Sequence, residues 1–90
     1  MSVKLHIPQF LKHLTNEVKV IDVQGTTVGE CLKDFVGCFP GAEELLFDKN
    51  GKILSYIDVY VNGGSAYPEE LRKSVHDGDE IFIIFLISGG

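Results

Sequence analysis

The chain has no tryptophan, one methionine, two cysteines and three prolines, and its basic residues are few. Eight Lys and Arg residues stand against thirteen Asp and Glu, which gives a formal net charge of −5 at pH 7. Because nucleic-acid binding requires clustered Lys and Arg to neutralise phosphates, this scattered minority argues against a nucleic-acid partner. A partner with a basic surface suits the acidic chain better.

Long hydrophobic segments are also absent. The longest apolar run, from Ile81 to Ile87, has seven residues, whereas a helix needs about 20 to cross a bilayer. The opening segment, from Met1 to His6, has no apolar core of the kind that a signal peptide carries. We therefore expect no membrane partner and a cytoplasmic location.

The two cysteines, Cys31 and Cys38, are seven positions apart on one predicted helix. They would share a face at a separation of about 10 Å, which is too far for a disulfide. No His or Cys stands at ligand spacing around them, which disfavours a zinc or iron–sulfur site. We interpret both as small core residues.

No pattern typical of an enzyme is present. His6, His13 and His76 are far apart in the sequence. Ser88 has no neighbouring base, and no Gly-x-Ser-x-Gly, phosphate-binding loop or paired-carboxylate motif occurs. We therefore predict that the chain is not an enzyme and that it binds neither a metal nor a cofactor itself.

The ninety residues, 44% of them apolar, suit one domain with its own core. Val3, Leu5 and Ile7 alternate with polar residues, which predicts a half-buried strand that stops at Pro8. A second strand, rich in β-branched residues, is predicted over 17–23. The two would form a hairpin with a long loop.

One strong helix is predicted next. Thr27 and Glu30 have the spacing of a capping box, in which the Thr27 hydroxyl accepts from the Glu30 amide and the Glu30 carboxylate accepts from the Thr27 amide. Pro40 and Gly41 end the helix. Its apolar stripe consists of Val28, Cys31, Leu32, Phe35 and Phe39.

Two further strands complete the pattern. Ile57, Val59 and Val61 alternate with polar residues, and the apolar run 81–87 forms the last strand. One helix can cover only one face of a sheet, so we predict an α+β fold with a single sheet on one helix. The last strand, apolar at every position, should lie at the sheet centre because such an edge would aggregate.

The sequence ends on Gly89 and Gly90, which follow the apolar run almost directly. Two residues without a Cβ can pass through a channel too narrow for any other side chain. A carboxylate at Gly90, on a thin and flexible arm, is the group that an activating enzyme would need to reach. The alternative is a soft chain end without a role.

These features together resemble the ubiquitin-like β-grasp sulfur carriers of the ThiS/MoaD family over the whole chain. The resemblance rests on the strand end at 59–63, the turn Asp77-Gly78-Asp79, the apolar last strand and the terminal diglycine. It implies a β-grasp fold, with a mixed sheet of four to five strands packed on one main helix. The domain would span 1–90 and carry a flexible Gly-Gly tail.

The resemblance also implies a function. In that family an E1-like adenylating enzyme uses ATP to activate the carboxylate of the last glycine, here Gly90, with Ser88 and Gly89 completing the tail. The thiocarboxylate then formed passes sulfur to a biosynthetic enzyme. The chain lacks the Pro-Pro pair of most molybdopterin-synthase small subunits and is longer than most thiamine carriers. Its opening segment 3–8 and the segments 51–52 and 57–62 look more like carriers of cysteine or homocysteine biosynthesis.

Two alternatives stay open: a protein modifier that joins the same carboxylate to lysines, and an interaction module without tail chemistry. By resemblance to ubiquitin, Ile81, Ile83 and Phe85 point inward. The outward side chains of the last strand would then guide the activating enzyme, unless the segment 67–71 covers them. These predicted docking residues are Phe82, Ile84 and Leu86.

Overall fold

The computed structural model describes residues 2–86 of the chain. Single 3-10 turns occur at Gln9–Leu11, Pro40–Ala42 and Glu70–Arg72. The helices and strands are, in chain order, β1 (Ser2–His6), β2 (Val20–Gln24), α1 (Val28–Cys38), α2 (Glu43–Leu46), β3 (Ile57–Val61), β4 (Gly64–Ser65) and β5 (Glu80–Phe85).

The five strands form one mixed sheet in the order β2-β1-β5-β3-β4. β1 pairs antiparallel with β2 and parallel with β5, and β3 pairs antiparallel with both β5 and β4. The apolar last strand therefore lies at the centre, as predicted, and hydrogen-bonds to a neighbour on each side. The central position protects its backbone from pairing with another chain.

The core lies between α1 and the sheet. Leu32 and Phe35 of α1 are fully buried, as is Leu5 of β1 and Ile81 of β5. Alternate positions on the three central strands point into this layer, which is why their apolar residues recur with a period of two. The chain has the ubiquitin-like β-grasp fold that the sequence predicted, with a five-stranded sheet on one main helix.

The second strand begins later than predicted, at Val20 instead of Glu17. Asn16 and Glu17 have φ angles of 55° and 67°, in the left-handed region. A strand requires negative φ, so these two residues turn the chain and cannot extend β2.

The start of α1 confirms one half of the capping box and corrects the other. The Thr27 hydroxyl accepts from the Glu30 amide at 3.1 Å, as predicted. The Glu30 carboxylate instead accepts from the Thr26 amide at 2.8 Å and the Thr26 hydroxyl at 2.9 Å. Thr26 donates through both its amide and its hydroxyl, and these bonds hold the pKa of Glu30 below its usual value.

The prediction that both cysteines lie in the core is right for Cys31 and wrong for Cys38. Cys31 is fully buried, and burial raises the pKa of its thiol to about 11. Cys38 is exposed because it is the last residue of α1, whereas the buried residues of the helix end one turn earlier at Phe35.

Candidate functional site

The candidate site is the face of the sheet that points away from α1, which we call the outer sheet face. The buried residues Leu5, Val59 and Ile83 fix which alternate positions point to the helix, so their neighbours point away. The outer sheet face includes Lys4, His6, Val20, Asp22, Asp58, Tyr60, Glu80, Phe82 and Ile84.

Phe82 lies at the middle of this face. The register places it beside His6 of β1 and Tyr60 of β3. The His6 ring stacks on the Phe82 ring, with centroids 3.9 Å apart and planes within 14°. A shallow apolar depression, lined by Tyr60, Gly63, Phe82 and Ile84, occupies this part of the surface.

The predicted docking residues differ in exposure. Ile84 and Leu86 are 39% and 48% exposed, whereas Phe82 is half-buried beneath the stacked His6 ring. The alternative in which the segment 67–71 covers them does not fit, because Tyr67, its largest side chain, is itself 69% exposed. Whether these residues bind a partner stays a prediction.

Charged groups surround the apolar centre. Lys4 Nζ lies 2.8 Å from Asp22 Oδ1, and this hydrogen bond and the charge of Asp22 raise the pKa of Lys4. His6 Nε2 lies 2.6 Å from Glu80 Oε1. Asp58 accepts from its neighbouring backbone amide at 2.8 Å. These groups form a rim around the apolar centre, and its three carboxylates outnumber the single ammonium of Lys4. The rim is therefore predominantly acidic, which suits a partner that presents basic groups around an apolar surface.

The entry to β5 is fixed by a hydrogen-bonded network. Asn62 Nδ2 donates to Asp79 Oδ1, and the Glu80 amide donates to Asn62 Oδ1, both at 2.9 Å. The His76 amide donates to Asp79 Oδ2 at 2.7 Å. The bond from Asn62, followed by that from His76, lowers the pKa of Asp79. The sequence indicated a strand end at the first segment and a turn at the second, but not the contact between them, because Asn62 and Asp79 are 17 positions apart.

The exit from β5 leads toward the predicted tail. The Leu86 amide donates to the Tyr56 carbonyl at 2.7 Å. Phe85 shares the inward side with Ile83, as predicted, but it lies beyond the buried core, which ends at Ile83, and is 42% exposed. Ser88, Gly89 and Gly90 lie outside the described residues.

His6 and Tyr60 belong to the candidate site, although sequence analysis did not assign them to it. The signal was present, because both occupy the positions that alternate with buried residues in β1 and β3. The sequence did not indicate that β1 and β3 are the two strands that flank β5, which is what brings both side chains to Phe82.

Residues 2–86 hold no group of three or more His, Cys, Asp or Glu side chains placed to bind a metal ion. Within the same range, no helix is long and apolar enough to span a membrane.

No model of a protein family matches the chain. Small archaeal modifier protein 1 of Haloferax volcanii is 35% identical over 71 residues, which cover 78% of each chain. A chain of the Amycolatopsis orientalis BexX/CysO complex superposes with a TM-score of 0.88 at 30% identity, covering 98% of this chain and 99% of that one. CysO of Mycobacterium tuberculosis superposes with a TM-score of 0.86 at 27% identity, covering 94% and 99%.

These relatives are about as long as this chain, and they share its fold over nearly its whole length. They are small ubiquitin-like carriers and modifiers, which is the class that the last strand and the terminal diglycine indicated. The chain therefore belongs to the ThiS/MoaD family of ubiquitin-like proteins.

Proposed function

We propose that the chain is a sulfur carrier whose Gly90 carboxylate is adenylated by an E1-like enzyme and then converted to a thiocarboxylate. The observation that supports this most is the geometry of β5. The strand carries Phe82 and Ile84 on the outer sheet face and ends at Phe85, four positions before Gly89 in the sequence. One partner could therefore bind the outer sheet face and receive Gly90 at the same time.

The chemistry requires only an end group from this chain. A carboxylate is a poor electrophile, so one of its oxygens attacks the α-phosphorus of ATP and pyrophosphate leaves. A sulfide-level donor then attacks the carbonyl carbon of the acyl adenylate, a C–S bond forms, and AMP leaves. The resulting thiocarboxylate is a nucleophile that a sulfur-accepting biosynthetic enzyme can use. All catalytic groups and the ATP site belong to partners, and we place these reactions in the cytoplasm.

Phe82, Ile84 and Leu86 are proposed to dock the activating enzyme. Exposed apolar clusters ringed by polar groups are typical of protein-binding surfaces. The acidic rim formed by Asp22, Asp58 and Glu80 favours a partner with Lys or Arg around its apolar contact.

A second function, as a protein modifier, shares the first step. In that case a lysine amine attacks the acyl adenylate, or a thioester derived from it, and an isopeptide bond to Gly90 forms. The observation in favour of this function is the 35% identity to a protein that is itself named a modifier.

Intact mass spectrometry separates the two functions. The protein is produced in its own organism and purified under non-reducing conditions. A carrier should show replacement of one oxygen by sulfur at Gly90, whereas a modifier should appear in higher-mass isopeptide adducts.

The control is a variant that lacks Gly90, which leaves residues 2–86 untouched and should show neither product. If that variant still formed a thiocarboxylate, the proposed mechanism would be wrong. Replacing Gly89 with Val should also block adenylation, because a β-branched side chain would widen the arm.

A further inference from the structure

Exposed large apolar side chains are concentrated where the central strand ends. Ile84, Phe85 and Leu86 are consecutive, and Tyr56 lies beside them across the sheet; each is between 39% and 48% exposed. Ile84 and Leu86 belong to the proposed docking surface. Phe85 points to the opposite side of the sheet, so docking on the outer sheet face does not explain it.

Phe85 is held by rings from two other segments. Its ring centroid lies 5.1 Å from that of Phe10, with the planes tilted by 41°, and 5.4 Å from that of Tyr56, with the planes at 87°. Aromatic rings attract one another at these separations and angles. The rings of Phe10 and Tyr56 therefore hold the side chain of the last residue of β5.

Backbone pairing ends at the same place. Phe85 is the last residue of β5 in register with β3, opposite Ile57, and the Leu86 amide adds one more bond to the Tyr56 carbonyl at 2.7 Å. Four residues follow Leu86 in the sequence. Because a residue spans at most about 3.6 Å, Gly90 can reach no farther than about 14 Å from Leu86.

We propose that Phe10, Tyr56 and Phe85 form a tail anchor, which fixes where the chain leaves the sheet and so positions Gly90 for adenylation. This inference rests on the proposed function. In it the outer sheet face supplies affinity for the activating enzyme, and the tail anchor sets the length and direction of the arm that enters the active site. Phe85 is therefore a positioning residue that acts through the tail.

Loss of the anchor should slow the reaction without weakening docking. If β5 frays by two residues, the arm lengthens from four residues to six. The effective concentration of its end then falls about twofold, since it varies as about the −3/2 power of length. Loss of orientation adds to this effect. We expect Phe85→Ala to lower kcat about 2- to 10-fold and to change KM by less than about twofold.

The experiment measures ATP–pyrophosphate exchange with the E1-like enzyme of the same organism, at a temperature at which circular dichroism shows each variant to be folded. Phe39→Ala is the matched control, because the Phe39 ring lies 5.4 Å from that of Phe35 with the planes tilted by 43°, at the end of α1. It should leave kcat unchanged. Phe85→Tyr keeps the ring contacts and should retain the wild-type kcat.

Hydrogen exchange of the Leu86 amide gives a readout that needs no partner. It should accelerate in Phe85→Ala and stay as in the wild type in Phe39→Ala. An unchanged kcat in Phe85→Ala, or an equal loss in Phe39→Ala, would overturn the positioning role while leaving the proposed function intact. A wild-type protein that supports no exchange of pyrophosphate would overturn the proposed function, and the positioning role with it.

Discussion

Over positions 81–84, the two faces of β5 carry similar apolar side chains in different environments. Ile81 and Ile83 point toward α1 and are at most 3% exposed, whereas Ile84 on the outer sheet face is 39% exposed. All three side chains are large and apolar, so hydrophobicity does not distinguish the inward positions from the outward one. The difference shows that an apolar run can belong half to a core and half to an exposed surface.

Introducing a charge at adjacent positions tests this comparison most severely. Ile83→Asp would bury an unpaired carboxylate and should destabilise the fold by more than about 4 kcal/mol. Ile84→Asp should change the melting temperature little, because water can solvate the carboxylate at an exposed site, but it should weaken binding to the activating enzyme.

Thermal melts and titration of the partner by calorimetry would measure both effects. A large drop in melting temperature for Ile84→Asp would contradict the exposure of that face.

Truncating one aromatic ring on each side of the sheet tests the same comparison without charge. Phe35→Ala leaves a cavity in the core and should cost about 3 to 5 kcal/mol. Phe82→Ala removes a half-buried ring that stacks on His6, so the lost burial and the lost stacking together should cost about 2 kcal/mol. Urea unfolding curves give both free energies. Equal costs would show that the outer sheet face stabilises the fold as much as the core does.

The N-terminal cap of α1 should contribute less to the free energy of unfolding than the buried ring of Phe35 does. Thr27→Ala removes the acceptor for the Glu30 amide and should cost about 1 kcal/mol. The Thr27→Ser variant keeps a hydroxyl and serves as the control. If Thr27→Ala destabilised the protein more than Phe35→Ala, the packing of α1 on the inner face of the sheet would be wrong.

Acid should weaken two hydrogen-bonded networks, one at the start of α1 and one at the entry to β5. The pKa values of Glu30 and Asp79 are lowered in the folded state by hydrogen bonds from Thr26 and Asn62. Their stabilising contributions are therefore present above the unfolded pKa values, about 4.3 for Glu and 3.9 for Asp, and are lost as the pH falls through the lower folded values.

Melting temperatures recorded from pH 7 to pH 2 measure this loss. Glu30 is exposed and the side chain of Asp79 is 20% exposed, so solvent screens both carboxylates in part and the effect should be the smallest of those predicted. Glu30→Gln and Asp79→Asn should each flatten the acid limb of the profile, and an unaltered limb in both variants would contradict the assigned hydrogen bonds.

Much of the architecture could be predicted from local pattern. Alternation predicted β1, β3 and the inward side chains of the sheet, and the apolar stripe predicted α1 with Leu32 and Phe35 in the core. These predictions succeeded because period and capping depend on neighbouring residues. The late start of β2 was missed because the left-handed angles of Asn16 and Glu17 leave no such pattern.

The sequence by itself determined the α+β class, the central position of β5 and the terminal diglycine, because each follows from composition and order along the chain. Only the tertiary structure decided that His6 and Tyr60 flank Phe82, that Asn62 bonds to Asp79, and that Phe85 lies outside the core. These facts depend on which strands become neighbours and where the helix ends over the sheet. Contacts between segments far apart in the chain decide both the strand order and the position of the helix, and no local sequence pattern encodes such contacts.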